Sequence, residues 1–350
     1  MSNKIVIEDL KKIINSDLPW ENFKNKNVLI TGANGFLPSY MVRTLLFLND
    51  SKKGMNINIF ALVRNKEKAL KKFAEYKNRK DFKLIVQDVC EPFKTSDKID
   101  FIIHSASQAS PKSYGKDPVG TMAANTIGTY NLLKLAYEKK SLGFLFFSSS
   151  EVYGLLDPEK MPINEDEFGN VNPIELRSCY SESKRAGETL CISWMHQYGV
   201  PVTIVRPFHN YGPGMALDDG RIHADIVTSI ITKKNIILNS DGKAQRAFCY
   251  ISDSITGFFT VLLKGEKGVA YNIGNPSGEI SIKNLANMMV KLFPELKLKV
   301  IINQKINNNY IKSKVSRICP DISKVNSLGW FPKINLKEGF IRTVESYKYD

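Results

Sequence analysis

The sequence predicts an α/β protein: a doubly wound parallel sheet followed by a smaller C-terminal α/β lobe. Three observations carry that expectation. Short apolar runs alternate with helical patterns from residue 27 to 207, a glycine turn follows the first run, and the alternation becomes irregular beyond Pro207. Strands that alternate with helices need crossover connections, which makes neighbouring strands parallel. The expected division is a leader helix over 1–25, a sheet domain over 26–205 and a partly interleaved lobe over 206–350.

Residues 1–25 read as an amphipathic helix with Ile5, Leu10, Ile13 and Ile14 on one side, ending at Ser16-Asp17-Leu18-Pro19-Trp20 and packing on the outside of the domain. Asn27-Val28-Leu29-Ile30-Thr31 is a short buried strand. It runs directly into Gly32-Ala33-Asn34-Gly35-Phe36-Leu37-Pro38 and a helix through Leu48. A strand, a glycine turn and a helix start let backbone amides approach a pyrophosphate, with the helix dipole aimed at it. Gly32 and Gly35 are the glycines of that fingerprint, and Asn34, Phe36 and Leu37 share the turn. Pro38 stands at the third small position, where proline is tolerated in a first helical turn.

A second strand over 57–63 ends at Arg64, where an acid would hold the ribose diol of NAD. Arg64 reads equally as a partner for a 2′-phosphate or as a solvated loop cation, so NADP stands beside NAD as the cofactor. A helix over 66–77, a strand over 82–86 and a strand over 99–104 continue the pattern. Asp88 and Val89 are candidate adenine contacts, and Ser105-Ala106 a candidate cofactor-lining turn. A helix over 118–140 leads to Phe144-Leu145-Phe146-Phe147, a buried strand that breaks into Ser148-Ser149-Ser150-Glu151 at its carboxyl end, where open α/β sheets bind ligands.

Tyr180 and Lys184 follow on a helix that Gly199 and Pro201 terminate, four residues apart and so on one face. A phenol near its ordinary pKa of about 10 is a poor base, but a neighbouring ammonium favours the phenolate. Tyr180 is therefore the candidate base and Lys184 its tuner, with Ser149 or Ser150 sharing the proton. A lone Tyr-x-x-x-Lys also decorates ordinary solvated helix faces. Its company here, a serine-ended strand and a dinucleotide fingerprint, favours the catalytic reading.

Composition narrows the alternatives. The 350 residues suffice for one large or two modest domains. A net charge of +14 comes from dispersed lysines rather than a basic tract, so no nucleic-acid partner is expected. The first twelve residues are charged throughout and no apolar run is long enough to span a bilayer, so the expectation is a cytoplasmic protein with no membrane partner. Five scattered cysteines read as reduced structural thiols, and His104, His196, His209 and His223 show no ligand spacing, so no metal is expected.

Four further stretches, Ala109-Ser110-Pro111-Lys112-Ser113-Tyr114, Ser149-Ser150-Glu151-Val152-Tyr153-Gly154, Arg246-Ala247-Phe248-Cys249-Tyr250-Ile251-Ser252-Asp253 and Asn272-Ile273-Gly274-Asn275-Pro276, carry a resemblance. From Gly32 almost to the C-terminus the chain resembles the extended short-chain dehydrogenase/reductases that act on nucleotide sugars, and among them the branch that decarboxylates UDP-glucuronate to UDP-xylose. The resemblance implies a Rossmann sheet and tightly bound NAD that takes a hydride from C4 of the sugar and later returns it. By position it makes Ser149 the catalytic hydroxyl, Glu151 the catalytic carboxylate, Tyr180 the base, Lys184 its partner and Arg246 the active-site arginine. Ser110, Tyr114, Ser150 and Arg221 would touch the substrate, as would His209 and Asn210, which stand where the family commonly has asparagine and a small residue.

It also implies a homodimer through helices 118–140 and 178–198, to which Leu132, Leu133, Leu135, Leu190 and Trp194 would contribute. A 4-epimerase is the second expectation, since Tyr180, Lys184 and Ser149 would serve it unchanged. A 4,6-dehydratase is less favoured, because Ser150 replaces the aspartate of that branch's Asp-Glu pair. A non-catalytic dinucleotide sensor would have no use for the intact Tyr180, Lys184 and Ser149.

Overall fold

The computed structural model describes residues 3–110, 115–303 and 315–348. Its centre is a seven-stranded sheet built from β1 (Asn27–Thr31), β2 (Asn58–Val63), β3 (Phe82–Val86), β4 (Phe101–His104), β5 (Gly143–Phe147), β6 (Val202–Pro207) and a late strand, Ala270–Ile273. In space the order is β3-β2-β1-β4-β5-β6 and then the late strand, and every pairing is parallel. The order reverses at β1 and β4, and that reversal opens the crevice where such sheets bind ligands.

Successive residues of each strand serve opposite faces. Val28, Ile30, Ile103, Leu145 and Phe147 enter one apolar cluster, whereas Leu29, Ile102, Phe144 and Phe146 enter another. Because both faces are buried, the strands read as continuous apolar runs. The first face is covered by α1 (Lys4–Ile14), α2 (Phe36–Ser51) and a helix at Ile251–Lys264; α3 (Lys66–Lys72) adds Ala69 to the same cluster. The second is covered by α4 (Pro118–Glu138) and α5 (Ser178–Tyr198), through Leu132, Leu133, Leu135, Cys191 and Trp194.

Three sequence expectations need correction. The leader is shorter as a helix than expected, and its apolar side is no outer decoration. Ile13, Trp20 and Phe23 are buried in the main core, and Asp9 binds Arg342 at 2.8 Å and accepts from Tyr250 at 2.8 Å, which ties the leader to the C-terminal lobe. The helix expected over 66–77 stops at Lys72 and continues only as a 3₁₀ turn at Ala74–Tyr76. The third concerns the leucines assigned to a subunit contact. Leu132, Leu133 and Leu135 face the sheet, and the outward side of α4 and α5 carries Ile127, Tyr130, Tyr137, Ile192 and Tyr198 instead. A 3.6-residue period cannot say which of two apolar stripes meets the core.

The C-terminal lobe is a second small sheet. After β7 (His209–Tyr211), α6 (Ile222–Ile231) and β8 (Ile236–Leu238), strand β9 (Gln245–Tyr250) pairs with β7 on one side and with Glu279–Ser281 on the other. The chain then returns to the large sheet with α7 (Ile251–Lys264) and β10 (Ala270–Ile273), so the two layers share one core.

Candidate active site

The carboxyl ends of β1 to β6 line one cavity of about 550 Å³. At one end lie Gly32, Asn34, Gly35, Phe36 and Leu37 from the β1–α2 turn, with Leu62, Arg64, Asp88, Val89, Ser105 and Ala106 beside them. Gly32 has φ +63, and a Cβ there would come 2.8 Å from the Cα of Ala106. Only glycine lets the β1 and β4 ends approach so closely in that backbone conformation. Gly35 caps α2, and Pro38 sits in its first turn as expected. The cradle and the start of this 16-residue helix fit a pyrophosphate, so these residues would hold the dinucleotide.

At the other end the serine-ended strand and helix α5 converge. Ser149 caps a 3₁₀ turn over Ser150–Tyr153, and its Oγ accepts from the amide of Glu151 at 3.2 Å. The phenol of Tyr180 is hydrogen-bonded to Ser149. Burial pushes that phenol up to about 12, and the Ser149 bond opposes the shift. Lys184 donates to the carbonyl of Phe147 at 2.6 Å and lies over the Tyr180 ring, 5.8 Å from its centre. Burial pulls its ammonium down to about 7, with the charge of Glu188 resisting. Lys184 thus donates a hydrogen bond to a backbone carbonyl while lying over the ring, and Ser149 together with the charge of Arg221 favours the phenolate.

Glu151 lies on the cavity wall with Oε1 3.0 Å from Nη2 of Arg177. Ser150, His209, Asn210 and Arg221 also line the cavity. Asn210 has its amide engaged internally, donating to the carbonyl of Phe208 at 2.7 Å and accepting from Ser254. His209 is held neutral by burial, and its Nδ1 finds no hydrogen-bond partner among the described residues. Ser110 reaches across the mouth to the carbonyl of Asp219 at 2.9 Å, and Arg221 pairs with the Asp219 carboxylate. Tyr114 lies outside the described residues.

Arg246 lies close enough to the cavity for its charge to act on His209 of the wall. Its guanidinium turns to the carbonyls of Gln245 at 2.7 Å and Val315 at 2.8 Å, because β9 is flanked there by the 315–318 segment. A second arginine was not anticipated from the sequence. Arg206, at the end of β6, grips both oxygens of Glu188 at 2.9 and 2.7 Å, and Ser148 donates to the same carboxylate at 2.5 Å. Glu188 is one helical turn beyond Lys184, so the 180, 184, 188 spacing was the readable signal. This buried pair fixes the strand end that carries Ser149 against the helix that carries Tyr180.

Among the described residues no group of three His, Cys, Asp or Glu side chains could hold a metal ion, and no helix is long and apolar enough to cross a membrane. Residues 28–274 match the NAD dependent epimerase/dehydratase family. UDP-glucuronic acid decarboxylase 6 of Arabidopsis thaliana is 36% identical over 326 residues, 93% of this chain and 89% of that protein. UDP-glucuronic acid decarboxylase 1 of Xenopus tropicalis is 34% identical over 92% of this chain and 72% of its own. Among solved structures, UDP-glucuronic acid 4-epimerase from Bacillus cereus in complex with UDP-glucuronic acid and NAD superposes with a TM-score of 0.76 at 23% identity, covering 92% of this chain and 99% of that one. UDP-glucose 4-epimerase of Thermotoga maritima gives 0.78 at 20% identity, with 92% and 99% covered.

Proposed function

The chain belongs to the NAD dependent epimerase/dehydratase family, and we propose that within it the protein converts UDP-glucuronate to UDP-xylose by oxidation at C4, decarboxylation and reduction. The observation that carries this reading is the convergence of Ser149, Glu151 and Tyr180 at one end of a cavity whose other end is a glycine cradle, in a chain similar to decarboxylases over nearly its full length.

A bound nicotinamide dinucleotide, NAD in the reading favoured by the family, supplies the hydride acceptor at C4 and the donor that restores the alcohol. Tyr180 takes the proton from the C4 hydroxyl, with Ser149 sharing it, as C4 becomes a ketone. The carboxylate on C5 is then β to a carbonyl. The bond from C5 to that carboxylate breaks, its electron pair moves into the C4 carbonyl, and CO₂ leaves. The hydrogen-bonded Tyr180 and Ser149 face the oxygen on which the charge develops. Glu151 organises the proton that returns to C5, and Arg177 holds its carboxylate in place.

The same face of α4 and α5 supports a homodimer. Tyr130, Tyr137, Trp194 and Tyr198 form a contiguous aromatic patch, with ring centres 4.7 to 6.4 Å apart, beside exposed Ile127 and Ile192.

Purified protein incubated with UDP-glucuronate tests the reaction by product mass. The expected product is lighter by CO₂. A product of unchanged mass that interconverts at C4 would replace this reading with epimerisation.

A further inference from the structure

The residue after the second strand of a dinucleotide-binding sheet sorts the two nicotinamide dinucleotides. An acid accepts from the adenosine 2′-hydroxyl and repels a 2′-phosphate, whereas an arginine there accommodates the phosphate. In this chain β2 closes on Val63, and Arg64 and Asn65 follow it on the cavity wall. Neither is an acid.

The acceptors around them already have partners. The side-chain oxygen of Asn65 caps α3, accepting from the amide of Lys68 at 2.9 Å. Asp88 accepts from the amide of Cys90 at 2.9 Å through Oδ1, and its Oδ2 lies 3.9 Å from the Arg64 guanidinium. Asp117, the other acid that senses Arg64, accepts from Gln108 at 2.6 Å and from the amide of Gly120 at 2.9 Å. A 2′-hydroxyl arriving here would share these oxygens with the amides of Lys68, Cys90 and Gly120 and with Arg64.

Arg64 offers the opposite chemistry. Its side chain is 61% exposed and that of Asp88 39%, and an ion pair so long and so hydrated restrains it weakly. The guanidinium can turn from Asp88 onto a phosphate and engage it with two parallel N–H groups, which a hydroxyl cannot match.

We propose that Arg64 forms a 2′-phosphate site, so that this chain binds NADP(H) at least as tightly as NAD(H). The inference rests on the dinucleotide role of the cavity proposed above and is independent of the sugar chemistry.

The test is direct titration of the purified protein, freed of copurified nucleotide, with NADPH and with NADH, read by nicotinamide fluorescence without any sugar nucleotide. For the wild type the ratio of Kd for NADPH to Kd for NADH should be one or lower. Arg64→Asp should raise that ratio by about tenfold or more, by weakening NADPH and not NADH, and 2′-AMP should displace NADPH from the wild type better than 5′-AMP does. Tighter binding of NADH by the wild type, or a ratio that Arg64→Asp does not move, would overturn the proposal. Binding of neither dinucleotide would overturn the cofactor site itself, and this inference with it. A sugar substrate other than UDP-glucuronate would leave both intact.

Discussion

Nη2 of Arg177 lies 3.0 Å from Oε1 of Glu151, joining the residue that begins helix α5 to the 3₁₀ turn that follows β5. Both are half-buried, so the contact orients the carboxylate more than it stabilises the fold. If Glu151 acts after C4 has been oxidised, Glu151→Gln should keep hydride transfer and block turnover. Given UDP-glucuronate, the variant should accumulate reduced nicotinamide, seen by its absorbance. A variant with full activity would remove Glu151 from the reaction, and one that has lost its fold or its cofactor would make the residue structural.

Tyr180→Phe should fold, bind dinucleotide and lose turnover by about 10²–10⁴-fold, the usual contribution of a positioned acid or base. Single-turnover measurement of nicotinamide reduction separates this from the previous variant, because here the first hydride transfer itself should fail. Rapid reduction in Tyr180→Phe would mean that another group takes the C4 proton.

Lys184 makes a signed prediction about pH. Burial lowers its ammonium from 10.5 to about 7, against the pull of Glu188. Between those values the unfolded chain binds more protons at this site than the folded chain, so the site's contribution to stability rises with pH across that window. Thermal denaturation of wild type and Lys184→Met at pH 7 and about pH 9 isolates it; the difference should shift toward the wild type at the higher pH. A difference that stays flat would show that the ammonium is no less comfortable inside than in water.

Gly32→Ala should both destabilise the protein and abolish dinucleotide binding. Its φ of +63 costs a non-glycine residue about 1–2 kcal/mol, and the added Cβ would also meet the Ala106 backbone at 2.8 Å. A variant with unchanged melting temperature and normal fluorescence titration would show that the β1–α2 turn is not the cradle.

The outward face of α4 and α5 and its inward face should respond differently to mutation. Ile127→Glu combined with Tyr137→Glu should give a monomer in light scattering with little loss of fold, since both side chains are exposed. Leu133→Ala should instead cost about 2–5 kcal/mol in denaturant titration, because Leu133 is fully buried against the sheet. A wild type that is already monomeric at micromolar concentration would reject the assembly.

Much of this molecule is written locally. Asn27–Thr31 is a strand at the boundaries its apolar run predicted, and α5 ends where Gly199 takes the left-handed conformation that closes a helix. The glycine turn, the serine-ended strand and the Tyr180-Lys184 pair were legible for the same reason: strand alternation, helical period and glycine conformation are properties of neighbours in sequence. What neighbours in sequence do not encode is partnership across the fold. Arg206 meets Glu188 and Arg342 meets Asp9 only because sheet and helices bring distant segments together. Arg246 donates to backbone at 315–316 because of the strand laid beside it, which no motif could reveal. Which apolar stripe of α4 is core, and which carbonyl accepts the hydrogen bond of Lys184, were likewise decided by packing. Burial and hydrogen-bond partners depend on the whole assembled surface, and a period or a spacing fixes only which residues are available to compete for them.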